Sequence, residues 1–281
     1  MIRGRKLVVV LPAYNAASTL ARTYRAIPGV VDEVLLVDDA SHDRTIEVAQ
    51  ALGIPWRRHA RNRGYGANQK TCYAWALERG ADVVVMLHPD DQYPAEAIPR
   101  LAELVAAGTC DVALGSRVAR PGAIARGMPI YKYACNRLWS WGQNLALGQR
   151  LSEYHTGLRA YSRRFLQRAP LAENDDGFLF DNQALVQAVY FDYAIGEIAV
   201  EGRYPADAST ISPWRGVGYG LGIVATTVRY GMQRAGLLRS AMFDPDGRRL
   251  AGAPFEPTRA PIADSTQAVA DLRAHAVLPP A

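Results

Sequence analysis

Short apolar runs alternate with helix-like segments over the first 115 residues. The runs are rich in Val, Leu and Ile and lack polar alternation, which is typical of parallel strands buried on both faces. Strands that alternate with helices form a mostly parallel central sheet flanked by helices, so the pattern predicts an α/β fold. The predicted strands cover 6–11, 33–37, 54–58, 82–87 and 111–114. The first predicted helix ends near Ile27, and the next three cover 43–52, 66–78 and 94–107.

The alternation ends after Gly115, and longer, less regular segments follow. We predict a single domain over 1–240, with a nucleotide-binding half at 1–115 and an acceptor half at 116–240. Pro, Ala and Arg dominate 241–281, which predicts a surface or partly disordered tail with one short helix near 265–275. Within the second half we predict loops at 117–127 and 204–214, helices at 130–147 and 181–193, and a strand at 195–200.

An apolar, glycine-rich stretch at 217–228 is followed by Arg229 and Arg234. Its length is well short of the ~20 residues that a membrane-spanning helix needs. A helix with one apolar side and adjacent basic residues suits the surface of an anionic membrane. An ordinary core-packing helix explains the same pattern equally well, so the sequence leaves both interpretations open.

The composition is that of a folded globular protein: 49% of the 281 residues are hydrophobic and 21% are charged. Three scattered cysteines predict neither a disulfide framework nor a zinc site. The first apolar run is too short for the core of a signal peptide. We therefore expect a cytoplasmic protein. A net charge of +5 suits a phosphate-bearing partner, and we expect a nucleotide and no nucleic acid.

In open sheets of this kind ligands bind beyond the carboxyl ends of the strands, which directs attention to the residues after each strand. Asp38 and Asp39 follow the second predicted strand. Adjacent carboxylates repel each other, so we expect at least one to meet a donor such as a ribose hydroxyl or a base N–H. We assign this contact to Asp39. The alternative is bonding to loop amides, and Asp43 is expected to cap the next helix.

The fourth predicted strand ends in a cluster of polar side chains, His88, Asp90, Asp91 and Gln92. Oxygen-rich, incomplete coordination suits Mg²⁺ or Mn²⁺ held largely by substrate phosphates. The sequence therefore predicts a metal site made by Asp90 and Gln92 with His88 beside it. A turn that merely caps the following helix is the alternative.

A glycine-rich bend at 62–68 leads into the third predicted helix. Gly64 and Gly66 let the backbone approach a ligand, and a helix N-terminus favours anions. The bend does not follow the first strand as a dinucleotide fingerprint must, and the Walker sequence is absent. Both features argue against a Rossmann dehydrogenase and a P-loop enzyme.

Two arginines and three carboxylates complete the candidates. Arg117 and Arg203 suit phosphate, because a guanidinium fork matches phosphate oxygens; surface arginines are the alternative. A hydroxyl acceptor would need a carboxylate to take its proton. We favour Glu153 for this role over Asp176 and Asp181, and expect His155 to be a fully bonded core histidine.

Five motifs, in this order and spacing, resemble family 2 glycosyltransferases, and most of all the branch of dolichyl-phosphate mannose synthase and bacterial polyprenyl-phosphate sugar transferases. The likeness covers about 6–234. The motifs are LPAYN at 11–15, VDDAS at 37–41, NRGYG at 62–66, HPDDQ at 88–92 and GSR at 115–117.

The resemblance implies a GT-A type nucleotide-sugar-binding fold and transfer with inversion at the anomeric carbon. By this likeness Asp90 matches the last carboxylate of an Asp-x-Asp metal motif, Gln92 the amide beside it, and Arg117 and Arg203 phosphate-binding arginines. The donor is expected to be a UDP- or GDP-sugar and the acceptor a lipid phosphate. The donor-binding set is expected to comprise Pro12, Tyr14, Asn15, Asp38, Asp39, Gly64, Gly66 and Lys132.

Three departures from the family pattern bear on these expectations. His88 stands where the first Asp of the metal motif belongs, and Ala16 where many members have Glu. No membrane-spanning helix is predicted after the catalytic region, although several relatives that act on lipid phosphates have them. A soluble hydroxyl acceptor therefore stays open as an alternative. Other classes are a nucleotidyltransferase and a non-catalytic nucleotide- or membrane-binding protein.

Overall fold

The computed structural model describes residues 1–204 and 213–250, which contain a seven-stranded sheet in the order β3-β2-β1-β4-β6-β5-β7. β6 runs antiparallel to its neighbours β4 and β5, and every other pairing is parallel. The predicted α/β class is therefore confirmed. The strands are β1 (Leu7–Ala13), β2 (Glu33–Asp38), β3 (Trp56–Arg58), β4 (Val83–Met86), β5 (Val112–Ser116), β6 (Arg159–Ser162) and β7 (Ile195–Ala199).

Helices cover both faces of the sheet. The longest, α8, follows the stretch at 205–212, which lies outside the described residues together with most of the loop predicted at 204–214. The helices are α1 (Leu20–Arg25), α2 (Thr45–Ala51), α3 (Tyr65–Glu78), α4 (Ile98–Ala106), α5 (Ile130–Leu147), α6 (Arg163–Arg168), α7 (Phe180–Tyr190) and α8 (Pro213–Arg234). Short 3-10 turns lie at Ala95–Ala97, Leu171–Glu173 and Ala241–Phe243.

The core forms two layers, one on each face of the sheet, and β1 contributes to both. Val8 and Val10 pack into one layer, whereas Leu7, Val9 and Leu11 pack into the other. Successive side chains of a strand point to opposite faces, so an uninterrupted apolar run fits only a strand covered on both sides. Each fully buried Val or Leu contributes roughly 1.5–3 kcal/mol relative to an exposed one.

The sequence predicts the elements of the first half within a few residues but misses β6 and α6. β6 has the sequence Arg-Ala-Tyr-Ser, which contains no apolar run. Its first residue, Arg159, is nevertheless fully buried. A strand of four residues between two central neighbours gains its burial from the sheet around it, so its own sequence carries little signal.

The first part of the predicted tail is not a surface segment. Met242 and Phe243 are buried in the same core layer as Val8, and Leu250 is buried with them. The sequence from about residue 243 onward is rich in Pro, Ala and Arg, so it gave no indication that these three apolar side chains are buried. The rest of the tail, including the helix predicted near 265–275, lies outside the described residues.

The antiparallel strand β6 decides which loops meet. Arg159, its first residue, pairs with Met86 at the end of β4 and with Leu114 near the end of β5. The loop before β6 therefore reaches the same edge of the sheet as the residues that follow β1, β2 and β4.

Candidate active site

A cavity of about 760 Å³ opens at this edge of the sheet. Residues that follow different strands come together on its wall, as expected for the carboxyl ends of an open sheet. The predicted site residues that line the cavity are Pro12, Tyr14, Asn15, Asp39, Gly64, His88, Asp90 and Gln92. Those that do not line it are Asp38, Gly66, Arg117, Lys132, Glu153 and Arg203.

Asp38 serves its own loop and does not reach the cavity. It is fully buried and accepts hydrogen bonds from the backbone N–H (3.0 Å) and the hydroxyl of Ser41. The Nε atom of Arg58 lies 3.1 Å from the same carboxylate. Burial raises the pKa of Asp38, although Ser41 and Arg58 act in the opposite direction. These contacts leave Asp38 without the direct nucleotide contact expected from the sequence.

Asp39 lies on the cavity wall and fixes the glycine-rich bend. Its carboxylate accepts hydrogen bonds from the backbone N–H groups of Arg63 and Gly64, each at 2.9 Å, and Nδ1 of His59 lies 2.7 Å away. The other ring nitrogen of His59 is 3.0 Å from the Thr71 hydroxyl. Asp39 therefore combines a structural role with a place on the cavity wall.

Gly64 and Gly66 are needed for a contact between two loops. A Cβ atom at Gly64 would lie 2.6 Å from the Asp176 carbonyl oxygen, and one at Gly66 would lie 2.5 Å from that of Asp175. The backbone N–H groups of Gly66 and Ala67 donate to the Asp176 carbonyl at 2.7 and 3.1 Å. The expectation of an anion site at the start of α3 is therefore wrong, because the N–H groups of Gly66 and Ala67 already donate to a protein carbonyl.

The side chains of His88, Tyr65 and Asp181 form a hydrogen-bonded chain across the cavity wall. The Tyr65 hydroxyl donates to Oδ2 of Asp181 at 2.7 Å and lies 2.9 Å from Nε2 of His88. Since the single hydroxyl hydrogen goes to Asp181, Nε2–H of His88 must donate to the hydroxyl oxygen. In the neutral form of the ring, Nδ1 is then the unprotonated nitrogen.

Asp90 and Gln92 are joined directly. The Gln92 side-chain amide donates to Asp90 at 2.8 Å, and its backbone N–H donates to the other carboxylate oxygen at 3.1 Å. Arg203 holds the same turn from outside: its backbone N–H donates to the Gln92 carbonyl at 2.9 Å, and its guanidinium pairs with Asp91 at 3.0 Å. Arg203 thus lies beside the predicted metal turn but off the cavity wall.

Arg117 and Glu153 form an ion pair behind the cavity. Glu153 is fully buried and accepts from the Arg117 backbone N–H (2.7 Å) and guanidinium and from the Asn136 amide (2.8 Å). Burial alone would raise the pKa of Glu153, but the charge and hydrogen bonds of Arg117 outweigh it and lower the pKa. Burial and the nearby Arg117 lower the pKa of Lys132. Glu153 is therefore placed to anchor Arg117, and its carboxylate does not face an acceptor.

Tyr14 and Asn15 lie on the cavity wall, and Asn15 is bonded to the loop that follows β2. The backbone N–H of Asn15 donates to the Ser41 hydroxyl at 2.8 Å, and its side-chain oxygen accepts from the His42 N–H at 2.9 Å. Tyr14 is 48% exposed. Its ring offers a flat apolar face of the kind on which a nucleotide base stacks.

The side chains that follow β4 fit a hard divalent cation that takes its remaining ligands from a diphosphate. Asp90 supplies a carboxylate, Gln92 an amide oxygen, and all three of His88, Asp90 and Gln92 line the cavity. Within 1–204 and 213–250, no group of three or more His, Cys, Asp or Glu side chains is arranged to hold a metal ion. A cation here would therefore draw several ligands from substrate and water.

Other residues of the cavity wall include Tyr65, His155, Asp181 and Tyr219. Of these, the sequence suggested a role in the site only for Asp181, as a less favoured base. His155 was expected to be a satisfied core residue, but among the described residues only its Nδ1 has a partner, the Tyr219 hydroxyl at 2.9 Å. Tyr65 and Tyr219 lie within helical segments, where an aromatic residue is an ordinary core residue. No local signal distinguishes the two from the packing around them.

Comparison with known proteins places the chain in a class of enzymes. The sequence model of glycosyl transferase family 2 matches residues 8–172. The chain therefore belongs to glycosyl transferase family 2 and is a glycosyltransferase. It is 30% identical over 207 residues to a polyprenol monophosphomannose synthase of Mycolicibacterium smegmatis, covering 70% of this chain and 77% of that protein. It is 29% identical to a dolichyl-phosphate hexose transferase of Haloferax volcanii, covering 75% and 88%.

Solved structures agree on the fold. The chain is similar to glucosyl-3-phosphoglycerate synthase of Mycobacterium tuberculosis in complex with phosphoglyceric acid, with a TM-score of 0.62, 22% identity and coverage of 85% of this chain and 82% of that one. The complex of the same enzyme with Mn²⁺, UDP and glucosyl-3-phosphoglycerate gives a TM-score of 0.59. The fold is therefore of the GT-A type, as the resemblance implied.

None of the helices in the described part of the chain is long and apolar enough to cross a membrane. This holds for α8, the longest of them, in which Arg229 and Arg234 interrupt the apolar sequence.

Proposed function

We propose that this glycosyltransferase moves a sugar from a nucleoside-diphosphate sugar to a polyprenyl phosphate at a membrane surface, with inversion at the anomeric carbon. Three relatives carry names that specify such acceptors: the two described above and an undecaprenyl-phosphate mannosyltransferase of Micrococcus luteus, 31% identical over 163 residues. The observation in this chain that carries the acceptor class is an apolar surface beside the cavity.

The apolar surface is made by the outward faces of α5 and α8. The two helices pack closely, since a Cβ at Gly220 would lie 2.9 Å from the Trp139 ring. α8 buries Ile223, Thr226 and Tyr230 on its inner side. Large apolar side chains are exposed on the outer side of α8 at Val217, Leu221, Val224, Val228 and Met232, and on α5 at Leu138, Trp141 and Leu145.

The position of this surface suits a lipid acceptor. Tyr219 of α8 lines the cavity, whereas Leu221, two residues further on, is 67% exposed. Arg229 and Arg234 are exposed near the same row. A helix face of this kind lies in the interface of an anionic membrane, and it would bring the phosphate of a membrane lipid close to the opening of the cavity.

The reaction follows from the chemistry of the acceptor. An oxygen of the lipid phosphate attacks the anomeric carbon as the bond to the donor diphosphate breaks, and attack opposite the leaving group inverts the centre. The acceptor is already an anion, so no protein base is required, which agrees with the occupied carboxylate of Glu153. Asp90 and Gln92 would hold a divalent cation, which neutralises charge on the leaving diphosphate.

The direct test is a transfer assay with labelled UDP-glucose, UDP-galactose and GDP-mannose, undecaprenyl phosphate in detergent, and Mg²⁺ or Mn²⁺. We expect a lipid-linked sugar phosphate of inverted anomeric configuration with at least one donor, and its loss in Asp90→Asn. Transfer only to water-soluble hydroxyl acceptors, or a product with retained configuration, would contradict the proposal.

Flotation with vesicles of phosphatidylcholine and phosphatidylglycerol tests the membrane surface independently. We expect the wild type to float at low salt, and the double variants Trp141→Ser/Leu221→Ser and Arg229→Glu/Arg234→Glu to stay in the soluble fraction. The matched control is Arg100→Glu/Arg168→Glu, which changes the charge equally at two exposed arginines away from α5 and α8. Equal flotation of all four proteins would count against an interface on these helices.

A further inference from the structure

Two residues of the cavity wall each carry a buried polar atom that has no hydrogen-bond partner within the described residues: Oδ1 of Asp181 and Nε2 of His155. Asp181 is only 6% exposed. Five other buried side-chain atoms also lack a partner, but none of their residues lines the cavity. A buried polar atom left without a partner is costly, so two of them in residues of one wall indicate that a bound molecule supplies the partners.

Both atoms are held in fixed positions. The fully buried guanidinium of Arg159 donates to three backbone carbonyls: Asp181 (2.7 Å), Thr156 (2.8 Å) and Tyr154 (2.9 Å). It therefore ties the start of α7 to the loop that carries His155. This bonding places the two unpartnered atoms on one rigid wall and leaves little side-chain freedom to lose when a ligand binds.

The side chains are oriented as well as their backbones. Oδ2 of Asp181 accepts from the Tyr65 hydroxyl at 2.7 Å, which points Oδ1 away from that bond. Nδ1 of His155 is 2.9 Å from the Tyr219 hydroxyl, which leaves Nε2 as the free ring nitrogen. Burial lowers the pKa of His155 to about 4, so the ring is neutral near pH 7.

The chemistry of these atoms selects the ligand group. A carboxylate oxygen only accepts hydrogen bonds, and a neutral imidazole nitrogen either donates or accepts one. A hydroxyl group satisfies both. Nε of Arg159 lies 3.9 Å from Oδ1 of Asp181, so the carboxylate has a counter-charge but still lacks a hydrogen-bond donor among the described residues. A fully ionised phosphate has no hydrogen to donate to it. Since a lipid phosphate acceptor brings no hydroxyl group to its reacting end, the hydroxyls must come from the donor.

We infer that Asp181 and His155 form the subsite that binds hydroxyl groups of the transferred sugar. This inference rests on the proposed function, because it requires a nucleoside-diphosphate sugar as donor. Tyr65, Tyr219 and Arg159 are its positioning residues. The sugar then lies against α7 and the loop before β6, while Tyr14 and Asp39 face the nucleotide on the other side of the cavity.

Isothermal titration calorimetry with Mn²⁺ tests the subsite by comparing UDP-glucose with UDP and GDP-mannose with GDP. For any sugar nucleotide that the wild type binds, we expect Asp181→Asn and His155→Gln each to weaken its affinity at least tenfold. The affinity for the matching nucleoside diphosphate should stay within twofold. Asp192→Asn is the matched control, since it makes the same chemical change at an exposed position just beyond the same helix.

The outcomes separate the inference from the proposed function. An equal loss of affinity for the sugar nucleotide and the nucleoside diphosphate would place Asp181 at the ribose. No loss of affinity in either variant would mean that ordered water is the partner. Either result overturns the subsite. A wild type that binds no sugar nucleotide contradicts the proposed function itself. Melting temperatures identify a variant that fails to fold, and the other variant then decides the result.

Discussion

A Cβ atom on Gly157 would lie 2.7 Å from both Nε2 and Cδ2 of His88. The glycine belongs to the loop before β6, and the histidine follows β4, so this contact joins the two halves of the site. Its backbone N–H also donates to the Tyr93 hydroxyl at 2.7 Å. The absence of a side chain at position 157 thus makes room for the His88 ring in its bond with Tyr65.

We expect Gly157→Ala to displace His88 and reduce transfer at least tenfold. The distance is shorter than any real Cβ contact, and the ring is held on its other side by Tyr65, so it can move only by breaking that hydrogen bond. Gly142→Ala in α5 is the control, because its Cβ would meet nothing within 4 Å and alanine favours a helix. Steady-state assays of both variants, with melting curves, measure the difference.

Asp39→Ala and Asp90→Ala should both abolish transfer but differ in stability. Asp39 accepts backbone hydrogen bonds from Arg63 and Gly64 in the glycine-rich bend. Its loss leaves the Arg63 N–H and Nδ1 of the buried His59 without this partner, which costs about 1–3 kcal/mol, whereas the Gly64 N–H keeps the Asn62 side-chain oxygen at 3.1 Å. Within 1–204 and 213–250, the hydrogen bonds of Asp90 come only from Gln92 of its own turn. Chemical unfolding compares the two variants; near-normal turnover of either at saturating metal would contradict its place in the site.

Glu153→Gln is expected to lower the free energy of unfolding by about 3–5 kcal/mol, because it leaves the buried Arg117 charge without its counter-ion. Glu173→Gln is the control: Glu173 pairs with Arg248, which is mostly exposed, and exposed pairs contribute only about 0–1 kcal/mol. Equal stability losses in urea titrations would show that burial of the Arg117–Glu153 pair does not set its contribution.

The stability of the protein should fall as the pH is lowered from 6.5 toward 4, in part through His155. Burial lowers its pKa from 6.5 to about 4, helped by Arg159 and Arg117 and opposed by Glu153. The unfolded chain therefore binds more protons in this window, so stability is fully present above pH 6.5 and is lost on acidification, by up to about 3 kcal/mol. Melting temperatures of His155→Gln should show a shallower decline; identical slopes would contradict the low pKa.

The metal preference of transfer should reveal whether His88 is a ligand. The hydrogen bond to Tyr65 engages Nε2 of His88, so Nδ1 is the ring nitrogen available to a cation, and nitrogen ligands favour Mn²⁺ and later transition metals over Mg²⁺. We expect His88→Ala to keep measurable activity with an unchanged metal profile, since Asp90, Gln92 and the diphosphate suffice. A large loss in His88→Ala, with a shift toward Mg²⁺ in His88→Asp, would show direct coordination.

The sequence predicted where the site lies better than how it is built. The rule that ligands meet the carboxyl ends of parallel strands needs only the strands, and their apolar runs are strong, so Asp39, His88 and Asp90 were found. Arg117 and Glu153 were both recognised, but nothing in the sequence pairs residues 36 positions apart. The sequence suggested that Glu153 is a general base and that Arg117 binds phosphate, whereas in the structure the two side chains form an ion pair with each other.

The misplaced roles share a physical cause. A carboxylate or glycine in a loop looks the same in the sequence whether it faces a ligand or another loop. Gly66 was expected to admit a phosphate and instead admits the Asp176 carbonyl. His155 was expected to be bonded on both nitrogens, because most buried histidines are. Only its three-dimensional surroundings show that it lines the cavity and that one nitrogen has no partner within the described residues.

The contact between the Gly64–Gly66 bend and the Asp176 carbonyl limits how this enzyme can be recombined with its relatives. A chimaera that takes residues 1–115 from one parent and the remainder from another would separate the glycines from the loop that fits over them. It would also place a foreign β6 between β4 and β5. Exchanging donor specificity between family members therefore requires that both loops be moved together. A crossover near residue 115 would take the two sides of their contact from different parents.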